Sequence, residues 1–448
     1  MTRVTIRFQY QRNRLSAYLA MDYLFSFDSG VIGYLAFLIV SVAVYSIFSL
    51  GLNLQWGYTG LINFGHVAFM TIGAYSTALL TLANVPILIA TLIGAGLAAL
   101  LGLLMGFSTL RLREDYLAIV TIGVSELVRL IALNEGWLTK GAFGLQSFPL
   151  PLSEFRPTIG TRIGMIAIVL AIFGVVLWKV AQEFLRQIEN TNQTERIISA
   201  ILSLLLLIML FLPGVRILGI SAVALVSFGA KTVQRFLRRT KNTNRLEQII
   251  GVIGSGFLFL IMIRLALVAA ISIYNFRENA ARNGLLFLSL IVLAIVYFAL
   301  ERLVRSPWGR VLKAIREDEQ VAKALGKNVF AYKLQSLMLG GFIAGLAGAF
   351  FAWQLSTVYP TNFDPLVTFQ AWIIMVLGGA GNNAGTLLGA GIYWAYTAFT
   401  RDLDGRLPIA SDQIGAFRIM LIGLILMLLM RFRPQGILGN KDELTLGK

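Results

Sequence analysis

The feature that most limits what this chain can become is an apolar run of membrane-spanning length that keeps recurring along it. Such runs lie near residues 33–54, 86–110, 116–134, 163–181, 248–275, 284–301, 334–356 and 413–430. A helix of about 20 apolar residues crosses the hydrocarbon layer with each backbone N–H and C=O paired inside the segment, which is what lipid demands. The sequence therefore predicts an all-α, polytopic transmembrane protein. Three further regions, 57–83, 197–230 and 367–402, are apolar but interrupted by Gly, Pro or Asn. Each is expected to be a hairpin, a broken helix or a Gly-rich re-entrant element rather than a plain crossing. Composition agrees: 57% hydrophobic against 13% charged residues leaves too little polar surface to cover a soluble fold.

The net charge of +16 is spread over short connections between apolar runs, so it reads as membrane orientation, with no nucleic-acid partner. The positive-inside rule puts the N-terminal segment 1–32, Arg111 and Arg113, the segment 231–247, the loop 302–333 and the tail 431–448 in the cytoplasm. The loops 135–162, 276–283, 357–366 and 403–412 then face outward. No small-residue cleavage signature follows the first apolar run, so a retained anchor is expected. With no cysteine, thiol nucleophiles and thiolate metal sites are excluded.

These signals divide the chain into the segment 1–32, a first transmembrane part 33–182, inserted membrane hairpins with basic cytoplasmic loops at 183–280, a second transmembrane part 281–430, and the tail 431–448. The insertion reads as peripheral packing against anionic headgroups or as a scaffold for a partner.

The loop SPWGRVLKAIREDEQVAKALGKNVFAYKL, residues 306–334, is long and charged between two spanning runs. Val311, Leu312 and Ile315, then Ala322 and Leu325, fall at helical spacing and predict two short amphipathic helices. Glu317, Asp318 and Glu319 are expected in the first turn of the second helix, and Gly326 at its end. Such a pair can pass motion from a soluble partner into the membrane; on periodicity alone, a solvated linker fits as well.

In GYTGLINFGHVAFMTIGAY, Gly57, Gly60, Gly65 and Gly73 stand with Asn63 and the chain's single histidine, His66, just after Asn53. Irregular backbone at membrane depth survives only where protein or a water-filled path covers it, which points to the translocation path. His66 can equally hydrogen-bond a neighbouring helix, and no second ligand near it suggests a metal site. A second block holds Gly378, Gly379, Gly381, Gly385, Gly389 and Gly391 with Asn382 and Asn383. It suggests two related halves, each with one broken element, although tight helix packing accounts for its glycines as well. Neither block carries a P-loop Lys with Ser or Thr, and no catalytic residue is assigned. Gly341, Gly345 and Ala349, and Gly340, Ala344 and Gly348, form small-residue rows suited to close helix contact. Glu126 and Arg129, three apart on 116–134, either pair with each other or meet a zwitterionic solute.

The blocks GLNLQWGYTGLINFGHVAFMTIGAY (51–75), RLREDYLAIVTIGVSELVRL (111–130), LTKGAFGL (138–145), SPWGRVLKAIREDEQVAKALG (306–326), AGLAGAFFA (344–352), VLGGAGNNAGTLLGA (376–390) and RFRPQGILG (431–439) resemble the permeases of the branched-chain amino-acid ABC importers, in particular the M-type subunit. The resemblance covers most of the chain outside roughly 183–280. It implies a non-catalytic permease subunit of a bacterial inner-membrane importer for neutral or branched-chain amino acids, paired with a second, homologous permease subunit. Two ATP-binding subunits would use ATP and Mg, with no cofactor on this chain, and a periplasmic binding protein would deliver substrate. By the same resemblance the loop is the ATPase-coupling element, with Gly309, Arg310, Ala314, Arg316, Glu317, Asp318, Glu319, Ala322 and Gly326 as its candidate residues. Ala322 and Gly326 fill the family's Ala and Gly places, and Gln320 stands where the motif's Glu is usual. Asn53, Gly57, Gly60, Asn63, Gly65, His66, Gly73, Glu126, Gly378, Gly379 and Gly381 are the candidate path residues. Urea or short amides as cargo, and a transporter or channel working alone, are the competing readings.

Overall fold

The computed structural model describes residues 29–110, 114–189 and 262–402, with scattered positions between 413 and 438. The N-terminal arginines, Arg111 and Arg113, the apolar hairpin at 197–230, the basic segment 231–247, the loop 403–412, and most of the 413–430 run and of the tail lie outside the described residues.

The first helix, α1 (Ser29–Leu52), widens over Asn53–Tyr58 into a π-helical turn. After an irregular stretch the chain forms α2 (Val67–Leu82), α3 (Ile87–Thr109), α4 (Glu114–Asn134) and α5 (Ile159–Glu189). There follow α6 (Met262–Tyr274) and α7 (Ala280–Arg305), then the short pair α8 (Pro307–Glu317) and α9 (Glu319–Ala324). The second half closes with α10 (Val329–Leu355), α11 (Leu366–Gly378) and α12 (Asn383–Asp402). Among the described residues six helices are long and apolar enough to cross a membrane, and α11 with α12 forms a pair bent by 116°. The chain is an all-α, polytopic membrane protein.

Two compact units emerge. One comprises residues 1–36 and 163–274, of which the described helical parts are the start of α1, most of α5, and α6; the other comprises 37–162 and 275–448. In the larger unit α10 is the hub, and the small-residue rows are the reason. Gly340 meets Gly51 backbone to backbone, and a Cβ on Gly348 would stand 2.1 Å from the Met70 carbonyl. On the other row Gly345 lies against Ala95 and Ala98, and Gly341 against the Ala98 carbonyl. Two backbones come this close in lipid only where side chains are absent, so dispersion and packing replace the hydrophobic effect as the cohesive force.

The two ends of this unit differ. At one end the connections after α4 and α10 meet in a two-residue antiparallel pairing of β1 (Leu145–Gln146) with β2 (Thr357–Val358), in register Leu145 with Val358. Gly284, at the start of α7, lies against Leu152 at this end too. The loops 135–162, 276–283 and 357–366 thus share one face, as the charge pattern predicts. At the other end lie α8 and α9, where the start of α10 meets the end of α3 through Phe330 and Phe107.

One expectation is reversed. Gln354, at the far end of α10, hydrogen-bonds Ser41, whereas Ser336, near its start, bonds the Leu54 carbonyl. The first crossing therefore ends at the α8–α9 side rather than beginning there, and it runs to Tyr58 rather than stopping at 54. Charge counting supplies a bias toward one side, but the antiparallel Gly51–Gly340 contact fixes the direction.

Candidate functional site

The predicted helix pair is present, with its boundary shifted by one residue. Pro307 opens α8 at a position whose N–H needs no partner. Gly309 is required by the turn from α7, because a Cβ there would stand 2.1 Å from the Val304 carbonyl. Glu317 ends α8 instead of starting α9, because Asp318 takes the cap: its carboxylate accepts from the N–H groups of Gln320 and Val321 at 2.8 and 3.0 Å. At the other end, Lys327 N–H donates to the Ala322 carbonyl and Gly326 N–H to that of Lys323, with Gly326 at φ +74°. This is a Schellman closure, which needs a residue tolerant of positive φ where the sequence has its glycine.

The hairpin has two faces. Inward, Ile315, Ala322 and Val329 form a small core with Val311 and Tyr332 packed on it, and Leu312 is fully buried. Outward stand Arg310, Ala314, Glu317 and Asp318 together with two apolar side chains, Val321 at 55% and Leu325 at 71% exposure. Glu319 joins α9 to α10 by pairing with Lys323 at 2.8 Å and Lys333 at 2.5 Å. Burial opposes its ionisation, but hydrogen bonds from Lys323 and Lys333 overcome that and hold its carboxyl below the ordinary value.

Beside this hairpin lie two interruptions of helix. In the first, the backbone of residues 54–67 finds partners largely through side chains. Thr59 donates to the Leu54 carbonyl, Phe64 N–H to Thr121, Gly65 N–H to Asn63 and Val67 N–H to Thr368. Asn63 in turn donates to Gln55, whose amide reaches the Leu337 carbonyl, and the Asn63 carbonyl accepts from the Trp372 indole. Irregular backbone is tolerable here because these bonds replace the helical ladder. Trp56 and Phe64 flank Trp372, the ring centroids of Trp56 and Trp372 being 4.7 Å apart, and Phe369 stacks on Phe64.

The second interruption, between α11 and α12, turns on Gly379 at φ +117° and Gly381 at φ +76°. Asn382 caps α12 by accepting from Gly385 N–H. The end of α11 is closed by the tail: Ile437 and Leu438 N–H donate to the carbonyls of Leu377 and Gly378 at 3.1 and 2.9 Å.

The two interruptions touch. Asn53 Nδ2 donates to Asn383 Oδ1 at 3.2 Å, Asn53 Oδ1 accepts from Gly381 N–H at 2.9 Å, and Asn383 Nδ2 donates to Glu301 at 3.1 Å. An ionised carboxylate only accepts, so Glu301 fixes the Asn383 amide with its nitrogen outward, which leaves Oδ1 for Asn53. Gly57 completes the contact, because a Cβ there would stand 2.1 Å from Asn53 Oδ1 and 2.6 Å from Gly381 N.

Of the candidate path residues, Asn53, Gly57 and Gly381 come together at this junction; Asn63 lies within the first interruption, bonded to Gln55, Gly379 lies at the turn of the second, and Gly60 sits beside the Arg316 side chain. Gly65, Gly73 and Gly378 make close backbone contacts with Thr121, Gly345 and Gly385. His66 bonds the Phe48 carbonyl through Nε2 at 3.1 Å, the interhelical alternative. Glu126 pairs bidentately with Arg129 on its own helix. Residue types alone do not single out Gln55, Thr59, Glu301 or Trp372. Asn383 is the one for which a signal exists, in its place beside the second block's glycines.

The sequence profile of the family described as branched-chain amino acid transport system, permease component, matches residues 34–183 and 195–430. The high-affinity branched-chain amino acid transport system permease protein LivM of Escherichia coli (strain K12) is 26% identical over 396 residues, 88% of this chain and 68% of its own. The probable branched-chain amino acid transport permease protein LivM of Methanocaldococcus jannaschii is 24% identical over 90% of this chain and 92% of its own. BraD, a high-affinity branched-chain amino acid transport system permease protein of Pseudomonas aeruginosa, is 26% identical over 54% of this chain and 82% of its own. No solved structure gives a significant match. With nearly the whole membrane region matched, the chain belongs to the branched-chain amino acid transport system permease family.

Proposed function

We propose that this chain is the M-type permease subunit of an ATP-driven importer for branched-chain or other neutral amino acids, forming the translocation path with a second, homologous permease subunit. The observation that carries this reading is the two-faced hairpin α8–α9. Its inner face is fixed to the membrane helices, while its outer face offers Val321 and Leu325 beside Arg310 and Glu317. Exposed apolar side chains rimmed by charge suit a protein partner. The partner proposed is one of two ATP-binding subunits, which bind the ATP and Mg; this chain binds no cofactor and does no bond chemistry. The hairpin then lies on the cytoplasmic side of a bacterial inner membrane, and the β1–β2 face meets a periplasmic binding protein. The substrate class rests on relatives named as branched-chain amino acid transport permeases that align along most of the chain.

Co-purification with the products of neighbouring genes, followed by reconstitution, tests this. Leucine delivered with the binding protein is expected to stimulate ATP hydrolysis, and Val321→Glu with Leu325→Glu to release the ATP-binding subunits. Saturable urea uptake without amino-acid uptake rejects the substrate class. Transport by this chain alone, with no ATP-binding subunit present, rejects the importer reading altogether.

A further inference from the structure

The coupling reading leaves open how movement of the hairpin reaches the interrupted helices. The geometry points to two specific latches. At the first, the Arg316 guanidinium on α8 donates to the Gly57 carbonyl, at the C-terminal end of the α1 π-helical turn. Backbone carbonyls at a helix end lack intrahelical partners and carry partial negative charge, so a cation is the favoured cap. Lys313, one turn earlier on α8, places its ammonium 5.8 Å from the Tyr58 ring centroid at the same helix end. At the second, Glu301 on α7, just before the hairpin, accepts from Asn383, which opens α12 and accepts from Asn53.

Gly57 is where the two latches converge. Its carbonyl carries Arg316, while its α-carbon faces Asn53 Oδ1 and Gly381 N with no room for a methyl group. A shift of α8 therefore bears, through the Arg316 side chain, on the residue at which both interruptions meet. We propose that Arg316 and Glu301 are the positioning residues that make the hairpin and the two interrupted helices move as one body, Arg316 acting on the first and Glu301 on the second. This deepens the reading of the hairpin as a coupling element and rests on it.

Arg316 is exposed, so its replacement spares the core. The test uses the full complex in proteoliposomes and measures leucine imported per ATP hydrolysed. Arg316→Ala is expected to lower that ratio about tenfold, the size suited to losing one charge-assisted bond. Arg316→Lys, which keeps the charge without the planar fork, should recover part of the loss. Glu301→Gln, which keeps the shape but loosens the hold on Asn383, should give a smaller fall. An unchanged ratio in Arg316→Ala overturns the proposal.

A second measurement does not need transport. The chain has no cysteine, so spin labels on cysteines introduced at Gln320 and Ala380 report the distance between hairpin and second interruption. In the otherwise unaltered chain that distance should hold constant through the ATP cycle while both labels move relative to α3; in Arg316→Ala with Glu301→Gln it should vary. Constancy in the double variant overturns the latches even where leucine import is intact. Absence of leucine import by the unaltered complex, with the distance behaving as expected, refutes the substrate and leaves the latches supported.

Discussion

The two interruptions, Asn53–His66 and Gly378–Asn383, solve the same problem with different materials. In the first, side chains of Thr59, Asn63, Thr121 and Thr368 take up backbone groups that leave the helix. In the second, two positive-φ glycines reverse the chain and backbone from residues 437–438 takes up the carbonyls. A side-chain network can exchange partners as elements shift, whereas a glycine turn held by peptide groups has fewer arrangements. The first interruption is thus suited to adjusting its bonds to the surrounding helices and the second to keeping its shape as the two move together, and the hairpin's Arg316 engages the first directly.

Substitutions can break this contrast or refine it. The largest effect is expected from Gly57→Ala, whose methyl would press on Asn53 and Gly381 together. Overpacking of this kind costs about 3 kcal/mol, so the thermal midpoint of the purified chain should fall and uptake should be lost; an unchanged midpoint would separate the two interruptions. Gly379→Ala tests the second alone: a side chain at φ +117° costs about 2 kcal/mol in backbone strain, read by the same melt. If instead it proved neutral, the glycine turn would not be the rigid partner. A double-mutant cycle on Asn53→Leu and Asn383→Leu should give a coupling of about 1 kcal/mol, the range for interhelical hydrogen bonds in membranes. A coupling of zero would mean that the amides are neighbours without interaction.

The smallest effect is one of pH, and it should touch the hairpin only. The Glu319 carboxyl is held below its ordinary value in the folded chain, so its contribution is complete above that value and is lost as pH falls through the lowered one. A spin label at Gln320 should gain mobility in that acidic window while one at Ala380 does not. Equal loosening at both labels would deny the hairpin its separate attachment through Lys333.

Much of this was legible in the residues. Among the described residues, runs of apolar length mark six crossings, and the Gly and Asn interruptions mark both irregular elements, since few side chains permit such backbone in lipid. The four-residue rows of small residues pointed to the close helix contacts that α10 makes. What stayed hidden depended on separation along the chain. Asn53 and Asn383 are 330 residues apart and Arg316 lies 259 from Gly57, and nothing local in any of these residues names its partner. Glu317 was misplaced because three consecutive acids look alike until geometry chooses Asp318 as the cap. The basic run from Arg431 places the tail in the cytoplasm, but local charge says nothing about the three residues, 436–438, that meet α11.

That tail contact bears on how the protein is made. Residues 436–438 leave the ribosome only after α11 and α12 have been synthesised, yet their amides are the partners of the Leu377 and Gly378 carbonyls. Until they arrive, the carbonyls at the end of α11 lack these partners, so biogenesis of this turn finishes later than that of the bundle around it. A nonsense codon ahead of Gly436 would yield a subunit inserted in the membrane but unfinished at its core, a natural target for membrane proteases.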